Sequence, residues 1–163
     1  MIKKLLIREN EKERKMSHSE GQNIVLPDKK IVSFIKKHHV LTLATCQNNI
    51  PWSCSCFYAV SEDPLQLIFS SSPETRHVKE FEKNEIVSVA IALETKIIGK
   101  LQGVQMSGKI IVDTQGLQLS KAYLKRFPYA SVMDLNLWAF EPEFIKFTDN
   151  TLGFGKKLTW QKG

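Results

Sequence analysis

The run Ser70-Ser71-Ser72-Pro73-Glu74-Thr75-Arg76-His77 gathers four hydroxyls, a guanidinium and an imidazole within eight residues. A strand-like stretch ends in the serines, and Pro73 suits the first turn of a helix, with Ser72 as its cap. The first turn of a helix presents free backbone N–H groups and a partial positive charge. Arg76 opposes that dipole unless an anion lies between them. The run therefore reads two ways. It is a phosphate site on which the helix end, the hydroxyls and Arg76 converge, or it is a capped helix with a solvated arginine.

Two strands could wall a flat ligand. In Trp52-Ser53-Cys54-Ser55-Cys56-Phe57-Tyr58 the two-residue period puts Trp52, Cys54, Cys56 and Tyr58 on one face. Ser53, Ser55, Phe57 and Ala59 take the other, and small polar side chains leave space against the backbone. In Gln102–Gly108, Gly103, Gln105 and Ser107 share a face opposite Val104 and Met106, which fits a ligand wall or a solvent-facing strand. The three cysteines, Cys46, Cys54 and Cys56, do not make a zinc pattern. A Cys-x-Cys pair in a strand lacks the hairpin spacing of structural zinc. His38 and His39 end a Lys-rich helix, whose dipole favours a cation and solvent. No metal site is expected, and Cys46 is expected to be a buried, inert thiol.

The tail, Phe147 to Trp160, holds Gly153 and Gly155, Asp149-Asn150, Lys156-Lys157 and three aromatics. It reads as a terminal strand and turn, or as a backbone that closely approaches an anion.

Periodicity supplies the elements that position these residues. A helix is expected from Asp28 to Lys37, with Ile31, Phe34 and Ile35 as its apolar stripe. Strands are expected at Val40–Thr45 and Ile50–Val60, joined by a turn at Gln47-Asn48-Asn49. Ser61–Pro64 is the next turn, and Leu65–Ser71 the third strand. A helix over Pro73–Lys83 follows. Ile86–Leu93 is apolar nearly throughout and reads as a strand buried on both faces. Leu101–Val112 is a strand interrupted by Gly103 and Gly108. Leu117–Arg126 is a helix stopped by Pro128, and Trp138–Thr148 the last long strand. Six strands with irregularly inserted helices imply a mainly β, closed or partly closed antiparallel barrel.

The chain has 163 residues and a net charge of +6, enough length for one domain. The charge does not mark a nucleic-acid surface: residues 1–15 carry +3, residues 151–163 another +3, and the body between is neutral. No apolar run is long enough for a membrane span, and the charges that follow Ile7 argue against export. An odd number of cysteines suits a reducing, cytoplasmic setting. Residues 1–23 read as a mobile extension outside a single domain over 24–163, and Met16 offers an alternative start.

The tail resembles the C-terminus of the YhbP family, small bacterial proteins among the FMN-binding split barrels related to pyridoxamine-phosphate oxidases. The likeness extends through Lys121–Pro128, Leu101–Gln105 and Thr75-Arg76-His77, and covers residues 27 to 160. It implies a six-stranded split barrel that holds FMN at the two-fold interface of a homodimer, and a flavin-dependent oxidoreductase of unknown substrate. By that resemblance Arg76 and Thr75 meet the flavin phosphate with Ser70 and Ser71, and His77 stands where oxidases carry lysine. The isoalloxazine edge lies along Cys54, Ser55, Cys56 and Phe57, with Cys54 in place of an arginine. Gly103 or Gln105 lies near the ring or its tail, and Lys156 or Lys157 near the phosphate or ribityl chain, in the same or the neighbouring subunit. Tyr123 and Ser131 match two residues that hold the vitamin B6 phosphate. Phe127 and Ala59 replace the two cations, with Arg126 one residue before, so B6 oxidation is not expected. The alternative is a non-catalytic module for haem or another planar ligand, with His77, His38 and His39 as candidate ligands.

Overall fold

The computed structural model describes residues 26–111, 117–153 and 156–163. The expected extension over 1–23, Val112 and Gly155 lie outside them. Helix α1 (Lys29–Lys37) begins where the Asp28 carboxylate accepts from the Lys30 N–H at 2.7 Å. It buries Ile31, Phe34 and Ile35, the stripe its periodicity predicts. Strands β1 (Val40–Gln47) and β2 (Ile50–Glu62) form a hairpin with Gln47 opposite Ile50. Its two turn residues, Asn48 and Asn49, have φ of 54° and 62°, the left-handed pair of a tight hairpin turn that asparagine tolerates. The remaining elements are β3 (Leu65–Ser70), α2 (Arg76–Phe81), β4 (Ile86–Ala92), β5 (Gln102–Ile111), α3 (Leu117–Arg126), β6 (Leu137–Asp149) and β7 (Lys157–Gln161).

All strand pairs are antiparallel, in the order β3-β2-β1-β4-β5-β6-β7, and β3 also pairs with β6. That last pairing closes six strands into a barrel, and β7 adds a seventh strand to β6. The register shifts between Ser107 and Gly108, where Gly108 faces Pro142. A Cβ on Gly108 would lie 2.1 Å from the Glu141 carbonyl oxygen, so the close approach needs glycine. Pro142 has no N–H to give the ladder, and a bulge accommodates it.

Leu41, Leu43, Tyr58, Phe69, Val89 and Phe140 fill the interior. The helices α1 and α2 cover opposite ends of it. Near α1, the Tyr58 hydroxyl donates to the Ile35 carbonyl at 2.5 Å and Phe34 packs on Phe147. Near α2, Val78 and Phe81 are buried and Asn84 donates to the Cys46 carbonyl. A second apolar cluster lies outside the barrel, where α3 and the turn after it set Leu119, Tyr123, Phe127 and Ala130 over Ala59, Ile68 and Ala139. Among the described residues no helix is long and apolar enough to cross a membrane.

Three expectations are corrected. Helix α2 starts at Arg76, not Pro73, because Ser72 closes a turn instead: its carbonyl accepts from the Thr75 N–H at 3.0 Å. Strand β4 is buried on one face only, with Val87, Val89 and Ile91 inward and Ile86, Ser88, Ala90 and Ala92 outward. Cys46 is exposed, because alternation along β1 turns it outward while Thr45 goes in.

Candidate functional site

The outward side chains of five neighbouring strands form a floor. One row runs Ser55–Thr42–Ala90–Gln105–Lys146 and the next Ser53–Ala44–Ser88–Ser107–Phe144, each neighbour a registered pair. Strands spaced by about 4.8 Å make such a row roughly 19 Å wide. Most of its side chains are small, so the backbone is open to a flat group. A shallow depression of about 380 Å³ lies over Thr42, Ala44, Ser88, Ala90, Gln105 and Lys146. Phe57 rises at one margin, 56% exposed, paired with Val40 at 44%. Behind Phe57 stands Phe127, ring centroids 6.0 Å apart. Ser70, one residue beyond the Tyr58–Phe69 pair, falls beside Phe57.

The strand-to-helix junction holds Arg76 firmly. Its Nε donates to Glu80 Oε1 at 2.7 Å, and its guanidinium lies 4.4 Å over the Trp52 ring. Glu80 is buried and also accepts from the Thr45 hydroxyl at 2.5 Å. The Thr45 hydrogen bond, then that from Arg76, holds the Glu80 carboxyl below the usual glutamate range. Among the described residues the terminal nitrogens of Arg76 make no hydrogen bond, and half of the side chain is exposed. A guanidinium fixed through Nε and stacked on an indole presents its other nitrogens in one direction, as recognition of an oxyanion requires. Glu80 and Thr45 escape the sequence reading. The signal for Glu80 was its place four residues after Arg76, the spacing of a helical ion pair.

Ser71, Thr75 and His77 form a separate cluster. His77 Nε2 lies 2.6 Å from Ser71 Oγ and 3.2 Å from Thr75 Oγ1, and the two hydroxyls are 3.3 Å apart. Burial lowers the His77 pKa against a smaller opposite pull from Glu80, so the ring is neutral at neutral pH. Cys54 and Cys56 point to this inner side of β2 and pack against the barrel core. Their sulfurs are 3.9 Å apart; the hydrogen bond between them lowers the Cys54 thiol and raises that of Cys56. His77 lies with both thiols, in place of the His38 and His39 considered from the sequence.

The sequence-derived set thus divides. Ser55, Phe57, Ser70, Gly103 and Gln105 belong to the outer face; Cys54, Cys56, Ser71, Thr75 and His77 face the interior side; Arg76 stands at the barrel end between them. A flat ligand on the floor meets the first set and only the backbone of Cys54 and Cys56. Lys156 is set far from the junction. Ser70 pairs with Leu137 at the start of β6, and Lys157 with Thr148 near its end. Eleven residues of strand separate those points, of the order of 35 Å.

The positions matching a B6-phosphate site are occupied by packing. Ala59 is 1% exposed and lies with Tyr123 and Phe127 under α3, the last two rings 5.0 Å apart. Arg126 does not substitute for the missing cation. It donates to the carbonyls of Lys36 and His38 at 3.1 and 2.6 Å, closing the end of α1.

Comparison with known proteins agrees with this architecture. The family model described as pyridoxamine 5'-phosphate oxidase matches residues 27–147. A UPF0306 protein of Pasteurella multocida is 34% identical over 137 residues, covering 83% of this chain and 92% of its own. Among solved structures, a haem-binding protein from Mycobacterium smegmatis superposes with a TM-score of 0.61 at 18% identity, over 76% of this chain and 52% of that one. An FAD-binding protein from Mesorhizobium loti superposes with a TM-score of 0.59 at 18% identity, over 74% of this chain and 92% of that one. Both likenesses are of fold.

Proposed function

This chain belongs to the pyridoxamine 5'-phosphate oxidase family, in the UPF0306 or YhbP group, and from that premise we propose that it is a cytoplasmic, FMN-binding homodimer acting as a flavin-dependent oxidoreductase on a small molecule. The floor of small side chains carries the reading. A planar ring system fits a surface whose rows are Ser, Thr, Ala and Gln, with Phe57 at its margin to pack against a ring. Arg76, held by Glu80 and Trp52 with its terminal nitrogens uncommitted, suits the flavin phosphate, and Ser70 lies beside Phe57 at the floor's margin. The floor is wider than a single ring system needs. Its exposed Val40, Phe57, Ile86 and Phe144 suit a second copy of the chain covering the remainder. In this reading Lys156, from the same or the neighbouring subunit, meets the phosphate.

Flavin, when bound, supplies the hydride and electron chemistry. The residues here bind and orient: Arg76 neutralises phosphate charge, Glu80 and Thr45 fix Arg76, and Ser53, Ser55 and Gln105 offer hydrogen bonds at the ring's edge. The partner excludes water from the ring.

The test is direct. Purified protein titrated with FMN should quench flavin fluorescence to one FMN per chain, and light scattering should give a dimer near 37 kDa, about twice the 18.6 kDa chain. Protein that takes up no FMN overturns the reading. Uptake of haem instead would favour a non-catalytic planar-ligand module, in line with the Mycobacterium smegmatis neighbour. Among the described residues His38 packs on Phe34 and His77 lies with Cys54 and Cys56, so neither offers that alternative an imidazole on the floor.

A further inference from the structure

On the inner side of β2, away from the floor, Cys54, Cys56 and His77 bring two thiols and an imidazole together, and we propose that they bind a soft divalent cation of the zinc type. Their ligand atoms all lie within 4.8 Å of one another. The two sulfurs are 3.9 Å apart. Zinc–sulfur bonds of about 2.3 Å set two thiolates about 3.8 Å apart in a tetrahedral centre and about 4.0 Å in a trigonal one. The sulfur pair already stands at ligating separation, and the imidazole needs to close by about an ångström to reach a zinc–nitrogen bond.

The pair is better placed to share a cation than to bond to itself. Residues two apart in an extended strand hold their Cα atoms about 6.6 Å apart, near the upper limit for a disulfide. The surroundings also suit a metal. Both cysteines pack against the barrel core, and His77 is buried. The Ser71 and Thr75 hydroxyls, 2.6 and 3.2 Å from Nε2, fix the orientation of the His77 ring. Three protein ligands leave a fourth position for water. The ligands come from two elements, so no local spacing announces them: the strand period aims both thiols at one side, and α2 delivers the imidazole. A cation there ties β2 to the start of α2. This site stands apart from the flavin reading, and it is tested with no flavin added.

The full chain carrying Cys46→Ser, which removes the exposed thiol, is reduced and titrated with cobalt(II), then zinc. The expected result is one cobalt per chain with thiolate-to-cobalt charge-transfer absorption in the near ultraviolet, abolished by an equivalent of zinc. Further substitution of Cys54→Ser or Cys56→Ser should remove the band, and His77→Gln should weaken binding at least tenfold. Zinc should raise the melting temperature of the Cys46→Ser protein and of neither double variant. Absence of the band in the Cys46→Ser protein overturns the site, as does a band that survives Cys56→Ser. Should a serine variant not fold, alkylation of the wild type decides. Zinc that fails to protect Cys54 and Cys56 from iodoacetamide, read by peptide mass, also overturns it.

Discussion

The barrel's outer surface has two halves built from the same kind of strand and finished differently. Over β2, β3 and β6, the outward residues Ala59, Ile68 and Ala139 lie beneath Leu119, Tyr123 and Phe127 of the α3 region. Over β1, β4 and β5, the outward Thr42, Ala44, Ser88, Ala90, Gln105 and Ser107 lie beneath nothing in the described chain. In both halves most of the outward side chains are small, so something can lie flat against the sheet. In the first half that something is the chain's own helix. In the proposed reading a flavin and a second copy of the chain cover the second half.

The largest effect that sharpens this contrast is on the covered half. Phe127→Ala removes the ring that packs on Tyr123, Phe57 and Tyr129 and should cost about 3–5 kcal/mol of stability, read by denaturant unfolding. On the bare half, Ala90→Arg should leave the unfolding free energy of the monomer within about 0.5 kcal/mol while weakening the dimer at least about a hundredfold, about 2.7 kcal/mol. Light scattering over a dilution series reads that change. If Ala90→Arg unfolds the chain instead, the second half is core, and the comparison breaks.

Next in size is the junction at the margin. Arg76→Ala should weaken FMN binding by about 1.5–3 kcal/mol, roughly ten- to a hundredfold, with circular dichroism unchanged. Glu80→Gln keeps Arg76 but loosens it, so a smaller loss is expected; equal losses would show that Glu80 acts on the fold rather than on Arg76. Ending the chain at Asn150 removes β7, with the partly buried Trp160 that packs on the core. The expected stability loss is about 1.5–3 kcal/mol, with lower flavin affinity in the dimer. Unchanged melting and affinity would leave the tail outside both roles.

Two finer tests remain. Because Ala59 and Phe127 are packed where a dianion site would need cations, oxidation of pyridoxamine or pyridoxine phosphate should stay well below about 1 s⁻¹; ordinary turnover would mean that α3 opens. The smallest effect is acid sensitivity. Glu80 has a depressed pKa when folded, set first by Thr45 and then by Arg76. Its contribution is therefore complete at neutral pH, above the unfolded value, and is lost as pH falls through the folded value. Melting temperature plotted against pH should fall less steeply at the acid end for Glu80→Gln than for wild type.

Much of the fold was legible because local chemistry and global structure agree. The Ile31–Phe34–Ile35 stripe, the Asn48–Asn49 turn and the alternation of β2 each dictate their element. The start of α2 was not legible, because Ser72 and Thr75 both can cap and only a turn hydrogen bond decides between them. Strand β4 read as fully buried because Ile86, Ala90 and Ala92 are apolar, yet they face out. Of the site, the split between Ser55 and Cys54 followed from the strand period. The meeting of Thr45 with Glu80, and of Cys56 with His77, did not, since each joins a strand to a helix folded back on it.

Strand β6 changes neighbours along its length, pairing with β3 over Leu137–Phe140 and with β7 over Phe144–Thr148. Between those stretches lies the contact of Gly108 with Glu141 and Pro142. That contact acts as a register lock at the barrel's seam. A slip of one residue would put Ser107 or Lys109 in Gly108's place, where a Cβ meets the Glu141 carbonyl, and would turn every inward residue of β6 outward. One glycine and one proline therefore fix where the cylinder ends and its trailing strand begins.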